Sequence, residues 1–169
     1  FALGEDGQGH FYSHAHCGME MADTILRRLR VSRETRERVV TLIRYHDSVI
    51  EETPQRVRRW LSILGTEVFF DLLEIQRGDT SALAPAYCTR KDHLDRLEQL
   101  AREILAEKPC LEVRDLVVNG WDLLALGYQG PVIGQVLHTL LEQVLEGKVP
   151  NEKEEILHFL KDFDAKKKE

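Results

Sequence analysis

Apolar residues recur every three or four positions along most of the chain, which is the spacing of one face of an α-helix. One such stripe runs through residues 13–30, and others begin after Ser32, Thr53 and Thr66. Serine and threonine accept hydrogen bonds from the free N–H groups at a helix start, and Pro54 suits the first helical position. The pattern lacks the strict alternation of strands and therefore predicts an all-α fold.

Glycine and proline residues predict where these helices end. The fourth helix is expected to close at Gly78, and Pro109 ends a long fifth helix that begins near Thr89. Beyond this proline the chain predicts shorter helices at about 113–117, 121–126, 131–146 and 151–163. Because the helix lengths and the composition change at this proline, we expect two domains, residues 1–109 and residues 110–169.

The chain has 169 residues and a net charge of −6, which argues against a protein that binds nucleic acids nonspecifically. The charge is unevenly placed, since residues 27–59 contain ten arginines, no lysine and only five acidic residues. Arginine binds phosphate through two parallel hydrogen bonds, although the same residues also suit a solvated helix face. Both interpretations stay open, and the candidate RNA contacts are Arg27, Arg28, Arg58 and Arg59.

The composition indicates neither a membrane protein nor a secreted, disulfide-rich one. No segment approaches the roughly 18 consecutive apolar residues of a membrane helix, and no basic start precedes an apolar run. The three cysteines, Cys17, Cys88 and Cys110, lie far apart and lack zinc-ligand or redox-motif spacing. We therefore expect buried or half-buried thiols in a protein of the reducing cytoplasm.

Two histidines and two aspartates are candidates for a metal site. His14 is predicted at the start of the first helix and His46 at the end of the second, so an antiparallel hairpin would bring both imidazoles to one end. Asp47 follows His46, and Asp79 is predicted to end the fourth helix. Imidazole and carboxylate groups bind divalent metals, but a lone histidine on an apolar helix face is more often part of the core.

A glycine-rich turn at residues 127–134 is a second candidate site. Gly127 and Gly130 precede Pro131, which is predicted to open a helix, and Gly134 lies in the first turn of that helix. Free N–H groups and the positive end of the helix dipole at such a start suit a phosphate. A plain joint between two packed helices explains the same residues equally well.

Several short stretches carry a further signal: GHFYSHA (9–15), LIRYHD (42–47), VRR (57–59), RGD (77–79), VNGWDL (118–123), GPVIG (130–134) and VLEG (144–147). Taken together and in this order, they resemble the C-terminal half of bacterial tRNA nucleotidyltransferases, the CCA-adding enzymes of the poly(A) polymerase family that contain an HD domain. The similarity covers nearly the whole chain and is most specific over residues 118–151.

The resemblance implies the remnant of an HD-like helical bundle with a long linking helix in residues 1–109, followed by a small helical tRNA-binding module in residues 110–169. In the family, an N-terminal head binds Mg²⁺ through paired carboxylates for nucleotide addition. This chain, whose first residue is Phe1, shows no such head. Nucleotide substrates and Mg²⁺ are therefore expected only in a longer parent protein, and no cofactor is expected in this chain.

An HD metal site would use an upstream histidine, a His-Asp doublet followed by x-Gly-Lys, and a later aspartate. Asp79 is placed as that aspartate, while His14 and His46 match accessory histidines of some HD phosphohydrolases. His46-Asp47 is not the primary doublet, because no Gly-Lys follows it. The resemblance thus implies a vestigial site of His14, His46 and Asp79 without tight metal binding, and leaves open a divalent metal in the parent's HD site.

We favour the hypothesis that the chain positions RNA for a tRNA nucleotidyltransferase, holding tRNA so that its 3′ end reaches the absent head. Its contacts would go mainly to phosphate and ribose, because such an enzyme must accept many tRNA sequences. The alternative is a metal-dependent HD-domain phosphohydrolase that acts on nucleotides or phosphoesters. A third hypothesis is an interaction module without an RNA role.

Overall fold

The computed structural model of the chain describes residues 2–3, 9–10, 14–82 and 89–166. Its α-helices are α1 (His14–Arg28), α2 (Arg33–Tyr45), α3 (Pro54–Leu64), α4 (Thr66–Ala82), α5 (Thr89–Ala106), α6 (Gly120–Ala125), α7 (Pro131–Leu145) and α8 (Lys153–Lys166). A 3-10 turn, η1 (Val113–Asp115), precedes α6, and an antiparallel pair joins β1 (Ala2–Leu3) to β2 (Gly9–His10). The prediction of an all-α fold is confirmed.

Among the helices described, none combines the length and the apolar composition needed to cross a lipid bilayer.

The chain divides into two compact units that are not continuous in sequence. The first unit contains Phe1–Val49 and Leu64–Asp95, and the second contains Ile50–Ile63 and Arg96–Glu169. Nearly all of α3 therefore belongs with the later helices, and α5 passes from the first unit to the second after Asp95. The predicted boundary between residues 109 and 110, as a boundary between functional modules, stays a prediction.

In the first unit, α1 and α2 form an antiparallel hairpin. The start of α1 meets the end of α2, where the Nε2 atoms of His14 and His46 lie 3.1 Å apart. Near the other end, the Arg36 guanidinium on α2 pairs with the Asp23 carboxylate on α1 at 3.2 Å. Contacts at both ends therefore fix the pairing of the two helices.

The two helices of this hairpin pack closely at Gly18. A Cβ atom at Gly18 would lie 3.3 Å from Ile43 Cγ2, which is tighter than most such contacts, so glycine permits the approach. The hairpin nevertheless buries little, since neither α1 nor α2 contains a buried residue. Exposed apolar side chains recur every four residues at Met21 and Ile25 on α1 and at Leu29 directly after it.

The buried side chain of Gln76 ties α4 to the segment that follows α2. Its amide nitrogen donates to the carbonyl oxygens of His46 at 3.0 Å and Ser48 at 2.8 Å. Carbonyl groups at a helix end have no partner within the helix. The Gln76 amide therefore supplies donors that the end of α2 needs, and its side chain is only 2% exposed.

The predicted end of the fourth helix at Gly78 is wrong, because α4 continues through this glycine to Ala82. Glycine inside a helix costs only about 1 kcal/mol relative to alanine. The buried Gln76 anchors the turn before Gly78, and the Thr80 hydroxyl donates to the Gln76 carbonyl at 2.7 Å. Tertiary burial thus outweighs the local preference for a helix end.

The second unit contains a core that later elements build among themselves. Its buried members are Cys110, Leu116, Val118, Leu123, Val136, Leu140, Leu141, Leu145, Val149, Ile156 and Leu160. Burial, together with the nearby Asp115 carboxylate, raises the pKa of the Cys110 thiol to about 11, so this thiol is protonated at neutral pH. Cys17 is exposed, contrary to expectation, and Cys88 lies outside the described residues.

A reciprocal cap begins α6. The Asn119 side chain accepts a hydrogen bond from the Trp121 amide at 2.8 Å, and the Asp122 carboxylate accepts one from the Asn119 amide at 2.9 Å. Hydrogen bonds from the Lys153 ammonium and the Asn119 amide hold the pKa of the Asp122 carboxyl below its usual range. The cap therefore keeps its charged acceptor at neutral pH.

Asn151 joins the turn before α8 to the segment between η1 and α6. Its Oδ1 accepts from the Val117 amide at 3.0 Å, and its Nδ2 donates to the Asp115 carbonyl at 2.9 Å. A side-chain amide provides this donor and acceptor at the same time, which a carboxylate does not. Asparagine therefore stabilises the path of both segments.

We predict that Gln76→Ala lowers the free energy of unfolding by about 1–3 kcal/mol, because it leaves two carbonyl groups without their donor. Urea denaturation followed by circular dichroism measures the change. Gln99→Ala is the matched control, since Gln99 is exposed on α5. Equal losses in both variants would contradict the role assigned to Gln76.

We also predict that Asn151→Ala destabilises the chain by about 1–3 kcal/mol through the loss of two hydrogen bonds to backbone groups. Hydrogen exchange at the Val117 amide should accelerate in this variant, since that amide loses its acceptor. The exposed Gln135→Ala substitution on α7 serves as the control. Unchanged exchange at Val117 would refute the assignment.

Candidate functional site

His14 and His46 form a contact pair at one end of the α1–α2 hairpin. Their Nε2 atoms are 3.1 Å apart, and the ring planes are inclined by 78° with centroids 5.1 Å apart. The prediction that the hairpin brings both imidazoles to the same end is confirmed. The Asp47 carboxylate lies 3.9 Å from His14 Nε2, so an acidic group accompanies the pair.

The hydrogen bonds of His46 determine how the neutral pair shares its protons. His46 Nδ1 is 2.7 Å from the Ile43 carbonyl oxygen. A carbonyl oxygen only accepts, so Nδ1 carries the hydrogen and Nε2 of the neutral ring keeps its lone pair. His14 Nε2 therefore donates to His46 Nε2. The pair is a hydrogen-bonded unit, and a metal at this position would have to displace the shared hydrogen.

In the structure, Asp79 does not join His14 and His46 as a third metal ligand. Asp79 lies within α4, and its carboxylate is 3.8 Å from Arg90 Nη1. Throughout the described parts of the chain, no group of three or more histidine, cysteine or acidic side chains is arranged to hold a metal ion. The role of His14, His46 and Asp79 as remains of an HD site stays a prediction.

Of the four arginines predicted to contact RNA, three already use their guanidinium groups within the fold. Arg27 pairs with Asp23 at 2.8 Å, and Arg59 pairs with Glu142 at 3.4 Å. The Arg58 Nε atom donates to the carbonyl of Leu145, the last residue of α7, at 3.2 Å. Arg28 is exposed and has no ion pair with a carboxylate of the described residues.

The glycine turn has the backbone geometry that its sequence predicts. Gly127 and Gly130 adopt φ angles of +94° and +58°, in the left-handed region that favours glycine. Gly130 precedes Pro131 at the start of α7 and provides no capping side chain. Pro131 has no N–H and the Ile133 N–H donates to the Gly130 carbonyl at 3.2 Å, so the Val132 N–H is the first-turn donor left for an external acceptor among the described residues. A Cβ atom at Gly134 would meet no atom within 4 Å, so the surface is open there. Phosphate binding at this turn stays a prediction.

Trp121 is a candidate contact that the sequence analysis did not select. It is 80% exposed, although tryptophan is usually largely buried. Leu123 on the same helix is fully buried, and residues two apart on an α-helix point about 200° apart, so Trp121 faces away from the core. Leu124, which is 46% exposed, extends this apolar surface. The signal available in the sequence was the capping pattern of Asn119 and Asp122, which begins a helix in which Trp121 and Leu123 lie on opposite faces.

We predict that the purified chain takes up no stoichiometric, tightly held zinc or nickel, because the described residues offer the histidine pair without a third ligand. Inductively coupled plasma mass spectrometry after dialysis measures bound metal. His46→Ala should leave the metal content unchanged. One equivalent of metal in the unaltered chain, lost in His46→Ala, would disprove this prediction.

Comparison with known proteins supplies the family. Residues 11–160 match the family model described as tRNA nucleotidyltransferase domain 2. A CC-adding tRNA nucleotidyltransferase from Thermus thermophilus is 31% identical over 156 residues, which cover 92% of this chain and 34% of that protein. The chain thus spans about a third of the length of this relative. No solved structure matches the chain. Because the family match extends over most of its residues, the chain belongs to the tRNA nucleotidyltransferase domain 2 family.

Proposed function

We propose that this chain is the tRNA-holding part of a tRNA nucleotidyltransferase, with tRNA as its partner. It positions tRNA while a nucleotidyl-transfer head of a longer protein adds nucleotides to the 3′ end. Family membership supports the kind of enzyme, and the Thermus relative is itself a CC-adding tRNA nucleotidyltransferase. Holding a substrate in a reactive geometry lowers the barrier to its reaction without any chemistry by the holding residues.

The exposed side chain of Trp121 is the observation that carries this proposal. An aromatic ring that is 80% exposed offers a flat surface on which a nucleobase stacks, and every base has such a face. The apolar Leu124 lies beside it on α6 and widens the platform. Stacking therefore provides affinity without selecting one sequence, which suits a protein that must accept many tRNAs.

The start of α7 provides a second contact in the same unit. Its Val132 N–H follows the turn formed by Gly127 and Gly130, and together with the positive end of the helix dipole it favours an anionic acceptor. The open surface at Gly134 lets an RNA backbone approach the first turn of the helix closely. Backbone N–H groups recognise a phosphate and not a base, so this contact also tolerates sequence variation.

The arginines contribute unequally to this function. Arg28 is available to phosphate, whereas Arg58 stabilises the end of α7 through its bond to the Leu145 carbonyl. Arg59 exchanges its exposed partner Glu142 for phosphate at small cost, since exposed ion pairs contribute about 0–1 kcal/mol. The partner of Arg27, Asp23, is only 31% exposed and also pairs with Arg36, so Arg27 exchanges less readily. With a net charge of −6 the chain should bind tRNA modestly and with a strong salt dependence.

We predict that Trp121→Ala weakens tRNA binding by about 1–3 kcal/mol, or at least about fivefold in Kd, through loss of base stacking. Trp121→Phe should restore most of the affinity, because phenylalanine keeps the aromatic plane. Gly134→Gln should also weaken binding while the fold remains intact, since a Cβ atom at this position has nothing within 4 Å and the longer side chain obstructs the approach of the RNA backbone. Fluorescence titration with tRNA at two salt concentrations measures all three variants.

Two outcomes would overturn the proposal. One is undetectable tRNA binding by the unaltered chain at low salt. The other is an affinity for tRNA that changes neither with salt concentration nor with the Trp121 and Gly134 substitutions. That result would favour an interaction module without an RNA role. Circular dichroism of each variant confirms that the helices are retained, so a loss of binding reports on the surface alone.

A further inference from the structure

A cavity of about 300 Å³ in the second unit is lined by positively charged side chains from distant parts of the sequence. Arg56 and Arg59 reach it from the first turns of α3, and Lys148 reaches it from the turn that follows α7. The other polar residues of its wall are Thr53, Gln55 and Glu146. The cavity is open to solvent and large enough for a phosphate group.

The lining of this cavity has an excess of positive charge. Its charged members are the cations Arg56, Arg59 and Lys148 and the single carboxylate of Glu146, which gives three positive charges against one negative, a net +2. A hydrogen bond from Lys148, reinforced by the charges of Lys148, Arg59 and Arg56, lowers the pKa of the Glu146 carboxyl. The same field that stabilises this carboxylate would stabilise a second anion.

The two arginines of the cavity are only weakly engaged by other carboxylates. Arg56 Nε contacts Glu51 at 3.4 Å, and Arg59 Nη2 contacts Glu142 at 3.4 Å, both beyond the usual length of a charge-assisted hydrogen bond. Both carboxylates are more than half exposed, at 67% and 57%. Each guanidinium has further N–H groups, so both arginines are able to bind a phosphate together with Lys148.

We propose that this cavity is a phosphate-binding site formed by Arg56, Arg59 and Lys148. Its ligand is either a phosphodiester of an RNA backbone or a free phosphomonoester, which share the tetrahedral, anionic oxygens that this lining recognises. Glu146 competes with the ligand for Lys148 and the two arginines. The RNA form of the proposal rests on the proposed function, whereas the phosphomonoester form is independent of it.

The test titrates the full chain with inorganic phosphate against chloride of equal ionic strength and follows the arginine Nε–H signals by NMR. Arg56→Gln and Lys148→Gln should each weaken phosphate binding at least about tenfold, since each removes a charged hydrogen-bond donor. Glu146→Gln should instead tighten binding, because it removes the competing carboxylate. General charge would produce the same two directions, so only the comparison with charge-matched variants elsewhere on the unit distinguishes a site from general charge.

Matched controls come from α5, where Arg102 pairs with Glu98 at the surface of the same unit. Arg102→Gln and Glu98→Gln change the net charge by the same amounts and should leave phosphate binding unchanged. Phosphate that causes no saturable shift would overturn the proposal. So would variants of the cavity that behave like these controls.

Titration with tRNA then separates the two ligand sources. If Arg56→Gln and Lys148→Gln weaken tRNA binding and phosphate competes with tRNA, the ligand is the RNA backbone. If phosphate binds in the cavity but tRNA affinity is unchanged by these substitutions, the ligand is a phosphomonoester. Saturable phosphate binding by a chain that binds no tRNA would refute the proposed function and leave the phosphate site standing.

Discussion

The burial of one face of α6 determines what the second unit presents to solvent. Leu123 is fully buried and belongs to the same core cluster as Leu140 of α7. A helix of six residues has little stability of its own, so its orientation depends on this packing and on the Asn119–Asp122 cap. With Leu123 directed inward, Trp121 has to point outward. The exposed tryptophan is thus a consequence of the core and not of local flexibility.

In the arginine-rich segment, residues 27–59, fewer arginines are available to bind phosphate than the sequence contains. Asp23 alone contacts both Arg27 and Arg36, and the Asp71 carboxylate accepts from Arg38 at 2.5 Å. The pairs of Arg36 and Arg38 connect helices within the first unit. Their carboxylates are only 31% and 33% exposed, so these pairs exchange less readily than a more exposed one such as that of Arg59 with Glu142. A half-buried bond such as that of Arg58 to the Leu145 carbonyl is different, because its loss leaves a helix end unsatisfied.

The helix starts of this chain could be predicted from sequence because local chemistry determines them. Ser32 accepts from the Thr35 amide at 3.0 Å, and Pro54 and Pro131 occupy the first positions of their helices, as their residue types predict. The end of α4 could not be predicted in the same way. Gly78 is a plausible stop by itself, and only the burial of Gln76 against the end of α2 keeps the helix intact.

The candidate sites likewise differ in whether local sequence or tertiary packing determines them. The turn at Gly127 and Gly130 depends on backbone conformation, which glycine signals in a sequence. The contact of His14 with His46 was predictable because a short connection between two helices favours an antiparallel hairpin. The charged cavity was not, because it joins Arg56 and Arg59 to Lys148, whose positions are about 90 residues apart in sequence. Such a site exists only through the packing of α3 near the turn after α7.

Under the proposed function, the features of the second unit favour binding to the shape of an RNA over reading its sequence. A tryptophan face, the Val132 N–H at the start of α7 and a cationic cavity would recognise stacking surfaces and phosphates, which every tRNA possesses. All three are built on one compact unit, so a substrate that contacts more than one of them is oriented as well as bound. Orientation is the property that a holding domain must provide, because affinity alone does not direct a 3′ end toward a distant reaction.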